Sequence, residues 1–227
     1  MECICLAGGL GTRLRPVLPD LPKCLAPVGG RPFLDRLLAS LRSRGVSRVV
    51  LSLGHLHEAI VAHIRDRDYG LWVDCVVEPE PLGTAGAIRL ALSGVRSEHV
   101  LVVNADTWYE ADAGALFSHH LRHGADVTMA LKPMADAGRY GRVEFRDGRV
   151  TGFVEKGSSL GGLINGGVYV VRRDIGLPAH GSFENDYLAV PGPRVCGLVQ
   201  DLPFLDIGVP DDYRRAVEVP GLLEGGA

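Results

Sequence analysis

For its first hundred residues the chain switches repeatedly between two hydrophobic periods, and that switching limits the folds open to it. Residues 2 to 6 form a short apolar run suited to a strand buried on both faces. After Pro32, the residues Phe33, Leu34, Leu37, Leu38 and Leu41 recur at helical spacing, and Gly45 stops the pattern. A strand over 48–53, a helix over about 56–66, a strand over 71–77, a helix over 84–93 and an apolar strand from Val100 to Val103 follow. Alternation at this spacing predicts a parallel sheet covered on both faces, with ligands at the carboxyl ends of its strands.

The second half changes character. A helix over 112–123 and a strand over 126–132 continue the pattern, but Arg142 to Val154 reads as a hairpin turning at Asp147-Gly148. A glycine-rich turn over 157–167 precedes a strand over 168–172, and Ser182 is an N-cap candidate for a short helix. Strands near 195–200 and 203–207 lead to a last helix opening at Pro210, and the tail from Pro220 is expected to fray. The expectation is a mixed sheet in one domain, with a second lobe laid over the cleft.

The carboxyl end of the first strand carries Ala7-Gly8-Gly9-Leu10-Gly11-Thr12-Arg13, and Lys23 follows ten positions later. Gly8, Gly9 and Gly11 lack Cβ atoms, so their N–H groups can approach a bulky anion. Thr12 adds a hydroxyl, and Arg13 adds a fork of donors that matches phosphate oxygens. A tight turn after an edge strand is the competing reading. Two familiar anion loops fail on spacing. No Gly-Lys-Ser/Thr follows, and Gly9-Leu10-Gly11 meets Leu14 where a dinucleotide fingerprint needs a third glycine.

Composition narrows the function classes. With 22% charged residues and a net charge of −3, the chain shows no sign of disorder, and its balance argues against a nucleic-acid surface, any positive patch having to be local. No apolar run reaches the eighteen or so residues of a membrane helix, and the start lacks a secretory pattern. Five cysteines without a Cys-x-x-Cys pair read as reduced core thiols, which points to the cytoplasm. Of the 24 Lys and Arg residues only Lys23, Lys132 and Lys156 are lysine, which suggests sites where a compact ammonium is wanted.

Asp106 and Asp206 each fall where a strand should end. Two carboxylates meeting over a triphosphate suit Mg²⁺, although turn chemistry explains either aspartate alone. Glu155-Lys156 closes the predicted hairpin, as a solvated strand end or as a ligand pair. Asn165-Gly166-Gly167 places a polar side chain beside two glycines that permit close approach, or that make a bend.

Together these segments resemble the sugar-1-phosphate nucleotidyltransferases: Leu6 to Pro16, Pro22 to Val28, Glu80 to Gly86, Glu155-Lys156 and Asn165 to Tyr169. Within that superfamily, Gly162 to Tyr169, Ser182 to Leu188 and Phe204 to Tyr213 look like the D-glycero-α-D-manno-heptose-1-phosphate guanylyltransferases. The resemblance implies a three-layer α/β/α, Rossmann-like fold with a mixed, mostly parallel central sheet and a smaller sugar-binding lobe. It divides residues 1–219 into a nucleotide-binding part over about 1–106 and a sugar-binding lobe over about 107–200, with 220–227 as tail. It also implies attack by a sugar 1-phosphate on the α-phosphate of GTP, with Mg²⁺ and release of pyrophosphate, for surface polysaccharide synthesis.

Carried over by motif, Leu6, Ala7, Gly8, Gly9, Gly11, Thr12 and Arg13 would hold the nucleotide, and Lys23 would touch the reacting phosphates. Glu78, Gly83 and Thr84 would line the base pocket. Gly141, Glu155, Lys156 and Asn165 would hold the sugar and its phosphate, while Asp106 and Asp206 would bind the metal. Arg13, Lys23, Lys156 and Asp106 would be catalytic. The family often has Gly-Asp where this chain has Ala105-Asp106, a swap that keeps the carboxylate.

Glu78 also speaks to the base on chemical grounds. Guanine presents adjacent N1–H and N2–H donors, which one carboxylate can accept bidentately. An acidic strand end before Pro79 is the alternative. Rival readings at this stage are a mannose-1-phosphate guanylyltransferase, a uridylyltransferase, a glycosyltransferase and a non-catalytic sugar-nucleotide sensor. His180, Glu184, Asn185 and Asp186 are candidates for the far end of the sugar or simply a polar helix start, and a homo-oligomer stays open.

Overall fold

The computed structural model describes residues 1–14, 16–154 and 161–218. Its centre is a nine-stranded sheet. In sheet order the strands are β5 (Trp72–Val77), β4 (Arg48–Leu53), β1 (Glu2–Leu6), β6 (His99–Asn104), β11 (Gly162–Arg172), β8 (Val127–Met134), β12 (Val195–Val199), β10 (Arg149–Val154) and β9 (Arg142–Arg146). Seven of the nine run one way, while β11 and β10 oppose them. Two small antiparallel pairs stand apart: β2 (Pro27–Val28) with β3 (Arg31–Pro32), and β7 (Thr107–Tyr109) with β13 (Phe204–Asp206).

The apolar runs become buried strands because their alternate residues feed two separate cores. Cys3 and Cys5 of β1 point to one face, with Leu101 and Val103 of β6 and Val168 and Val170 of β11. Helices α1 (Phe33–Ser43), α2 (His57–Ile64) and α4 (Ala113–His123) cover that face with Leu34, Leu38, Ile60 and Leu116. Ile4, Val100, Val102 and Tyr169 point the other way, onto α3 (Gly83–Leu92) and the segment around Phe183. A third, smaller core joins Leu14, Phe33, Trp108, Leu205 and Tyr213, and so ties β7, β13 and the last helix, α5 (Pro210–Glu218), to the glycine loop. The three-layer α/β/α arrangement expected from the sequence is therefore present.

Local expectations were met where a single residue dictates the backbone. Gly45 ends α1 region at φ 84°, and Asp147 and Gly148 both take positive φ, as the hairpin between β9 and β10 demands. Two expectations need correction. The stretch around Gly166-Gly167 is not a turn: β11 begins at Gly162, and the two glycines form an irregularity inside it, between Asn165 and Tyr169. A Cβ at Gly166 would sit 2.4 Å from the Tyr109 ring, which is why glycines occupy a strand interior here. Cys75 is exposed on edge strand β5 and is no core thiol, while Cys3, Cys5, Cys24 and Cys196 are buried and free. The expected tail over 220–227 lies outside the described residues. Among those residues no helix is long and apolar enough to cross a membrane.

Candidate active site

The carboxyl ends of β1, β4, β5 and β6, together with the amino end of antiparallel β11, open on one edge of the sheet. Leu6 and Ala7 anchor the glycine loop there. The Leu6 carbonyl accepts the Ala105 N–H at 3.0 Å, and the Ala7 N–H donates to the Ser52 carbonyl at 2.8 Å. Gly8 then passes close to a second glycine: a Cβ at Gly54 would sit 2.9 Å from the Gly8 carbonyl oxygen. Gly9 is open, with nothing near where its Cβ would be. Gly11 turns at φ 64° directly over the stem of Lys23, whose Cγ would be 3.2 Å from an added Cβ. Thr12 and Arg13 are exposed at the end of the loop.

Lys23 reaches across to Asp106, its Nζ donating to Oδ2 at 2.9 Å. Asp206 joins them because β13 pairs with β7, which starts one residue after Asp106. The Ile207 N–H donates to the Asp106 carbonyl at 2.9 Å, locking the two turns together. Gly208 makes room for all three groups. A Cβ there would lie 2.7 Å from Asp206 Oδ1, 3.4 Å from Lys23 Nζ and 3.5 Å from Asp106 Oδ2. Burial pushes the Asp206 carboxyl above its ordinary range and nearby Asp106 adds to the rise, against the pull of the Gly208 N–H and Lys23. Among the described residues no cluster of three or more His, Cys, Asp or Glu forms a metal cage. The pair of carboxylates fits Mg²⁺, which takes one or two of them and completes its shell with phosphate oxygens and water.

Glu78 lies beside the loop, at the end of β5. Its Oε2 accepts the Leu82 N–H at 3.1 Å, and its Oε1 would sit 2.8 Å from a Cβ on Gly8. Gly83 and Thr84 do something the sequence did not suggest. They clamp the start of α3 to residues 179–183: a Cβ on Gly83 would collide with the Gly181 carbonyl at 2.4 Å, and Thr84 Oγ1 accepts the Phe183 N–H at 2.7 Å.

A cavity of about 160 Å³ opens beside the carboxylates, lined by Arg13, Asn104, Arg139, Asn165, Glu184 and Asp206 among others. Gly141, at φ 79°, closes the loop that brings Arg139 and Tyr140 to its wall. Arg139 ion-pairs with the buried Asp212 of α5 and donates to the Tyr140 hydroxyl at 2.8 Å. Asn165 Nδ2 donates to Tyr169 Oη at 2.6 Å and to Glu184 Oε1. Lys132, the remaining described lysine, pairs with Asp201. Glu155 and Lys156 lie outside the described residues. Sequence reasoning overlooked Gly54, Asn104, Arg139 and Asp212. Two signals were available: Gly54 directly follows a strand, and Arg139 stands two residues before Gly141.

A three-layer sheet whose carboxyl edge holds a glycine loop, a lysine and two facing aspartates defines a phosphate-handling transferase. The chain belongs to the nucleotidyl transferase family, whose model matches residues 2–186. It is 43% identical over 222 residues to D-glycero-alpha-D-manno-heptose 1-phosphate guanylyltransferase of Aneurinibacillus thermoaerophilus, covering 95% of this chain and 96% of that protein. The protein of the same name from Campylobacter jejuni is 37% identical over 222 residues, covering 94% and 97%. The solved structure of HddC from Yersinia pseudotuberculosis complexed with GMP-PN superposes with a TM-score of 0.87 at 36% identity, covering 96% of this chain and 98% of that one.

Proposed function

We propose that the protein condenses D-glycero-α-D-manno-heptose 1-phosphate with GTP to give the GDP-sugar and pyrophosphate, in the cytoplasm. The observation that carries the reaction class is the meeting of Lys23, Asp106 and Asp206 beside Gly208, next to a glycine loop in which Gly9 stands open. Identity of 43% across nearly the whole of a heptose guanylyltransferase supports the choice of substrates. Residues 1–106 form the nucleotide part in this reading, and residues 107–200 form the sugar lobe.

The nucleophile needs little help from acid–base chemistry. A sugar phosphate has a second pKa near 6, so it arrives mostly as a dianion and requires no general base. The obstacle is charge repulsion: at 4 Å a single pair of unit charges costs about 4 kcal/mol at an effective dielectric of 20. Arg13 and Lys23 offset it by binding the triphosphate, and Lys156 does so for the sugar phosphate. Asp106 and Asp206 would hold Mg²⁺, which supplies charge neutralisation of the phosphates. With Lys23 and the two aspartates held at the sheet edge, attacking and leaving oxygens are kept in line. Glu78, beside Gly8, accepts the N1–H and N2–H of guanine, which a uracil cannot offer.

The test is Mg²⁺-dependent pyrophosphate release across four nucleoside triphosphates and several sugar 1-phosphates. GTP with the heptose phosphate should be fastest. Faster turnover of UTP or dTTP would overturn the base assignment, and a preference for mannose 1-phosphate would overturn the sugar.

A further inference from the structure

The cavity beside Asp206 is lined by two chemically different sets of groups. One is Arg13 with Asp206, and the other is Asn165 with Glu184. Four polar residues around the short helical turn Glu184–Leu188 are candidates for the second set, and their placement separates them. His180 pairs with Glu80 at 3.1 Å. The carboxylate of Asp186 accepts the Ser182 N–H at 2.7 Å and so serves the turn itself, and the exposed Asn185 side chain does not line the cavity. Of the four, Glu184 is the one that lines the cavity.

The neighbouring amide leaves the work to Glu184. Asn165 has two N–H donors, one spent on Tyr169 Oη and one on Glu184, and its Oδ1 already accepts the Gly167 N–H at 3.0 Å. It has one lone pair left to offer. A carboxylate offers about four acceptor sites, and the Asn165 amide takes one of them. The backbone underneath is fixed: a Cβ on Gly167 would stand 2.6 Å from Asn104 Nδ2, so the irregularity in β11 packs against the residue two before Asp106. Glu184 is thereby tied, through Asn165, to the strand end that precedes Asp106. An acceptor-only anion repels phosphate and suits hydroxyl donors.

We propose that the Glu184 carboxylate contacts the substrate, accepting hydrogen bonds from two neighbouring hydroxyls of the sugar on the side away from its phosphate. This rests on the functional reading above. The test is steady-state kinetics of Glu184→Gln and Glu184→Ala with GTP and the heptose phosphate, alongside their melting temperatures. Loss of a charged hydrogen bond predicts a 10- to 100-fold rise in KM for the sugar phosphate, on the order of one such bond. KM for GTP and the melting temperature should stay at the wild-type values. Monodeoxy mannose 1-phosphates sharpen the result: the one missing a contacted hydroxyl should lose affinity in the wild type and lose no more in Glu184→Gln. An unchanged sugar KM in both variants, or an equal rise in both KM values, overturns the role of Glu184. A wild-type protein that releases no pyrophosphate with any sugar phosphate overturns the functional reading, and this inference with it.

Discussion

The two ends of the main sheet treat charge in opposite ways. At the amino end, Glu2 accepts the N–H groups of Arg96 and Ser97 at 2.9 and 2.6 Å and an Arg48 Nη1 at 2.6 Å, and Arg48 also holds Asp74. Burial raises the Glu2 carboxyl, but those donors outweigh it and bring the pKa down to about 2. At the carboxyl end, Asp206 faces Asp106, and Lys23 is bonded to the latter. One end satisfies its charges, and the other sets two carboxylates against each other. Stability resides at the first, and the proposed function places the substrates at the second, at some cost to stability.

This contrast can be broken most forcefully at Lys23. Lys23→Ala and Arg13→Ala should each lose about 10²- to 10³-fold in pyrophosphate release, the scale of an anion-stabilising donor, with little change in unfolding midpoint. Turnover near wild type in both would end the cradle interpretation. Glu2→Ala should behave inversely. Urea unfolding is expected to show a loss of about 2 to 3 kcal/mol, because two N–H groups and a guanidinium lose a charged partner, while kcat per folded molecule holds.

The amino end also carries a pH signature. His120 is fully buried, with Nε2 3.0 Å from His99 Nδ1 and Nδ1 2.9 Å from Thr128 Oγ1. Burial and then His99 push its pKa down to about 4, against about 6.5 when unfolded. The fold thus favours the neutral ring. Its contribution is complete above about pH 6.5 and is lost as pH falls toward 4, by at most about 1.4 kcal/mol per pH unit. In His120→Gln, the slope of unfolding free energy against pH between 7 and 5 should flatten; an unchanged slope would show that other groups set it. The smallest effect is expected at Asp206→Asn. A carboxyl whose pKa is raised by folding destabilises the protein above that pKa, so its removal should raise the melting temperature at pH 7 by about 2 °C in a chain of this size. The gain should vanish in acid, and a fall at pH 7 would contradict the like-charge picture.

Much of the fold was legible because the residues that make it act locally. Short apolar runs marked β1, β4 and β6, and Pro32 and Gly45 bracketed α1. Asp147-Gly148 named its own hairpin, since positive φ at both residues is what that dipeptide permits. The same local logic failed at Gly166-Gly167. Two adjacent glycines read as a turn, and nothing nearby in sequence says that the Tyr109 ring occupies the space of a side chain. The contact of Gly83 and Thr84 with residues 179–183 was equally invisible, because the two segments are about a hundred positions apart.

By itself the sequence determined the alternating architecture and singled out the glycine loop and the two aspartates, because periodicity, missing Cβ atoms and residue chemistry are properties of short stretches. Only the tertiary structure decided what those residues do to one another. Asp106 and Asp206 are a hundred positions apart, and it is the pairing of β7 with β13 that turns two ordinary strand ends into one pair of facing carboxylates. Glu184 gains its place in the same way, through an amide on a different strand, since spatial proximity between distant segments is set by packing and leaves no mark on local pattern.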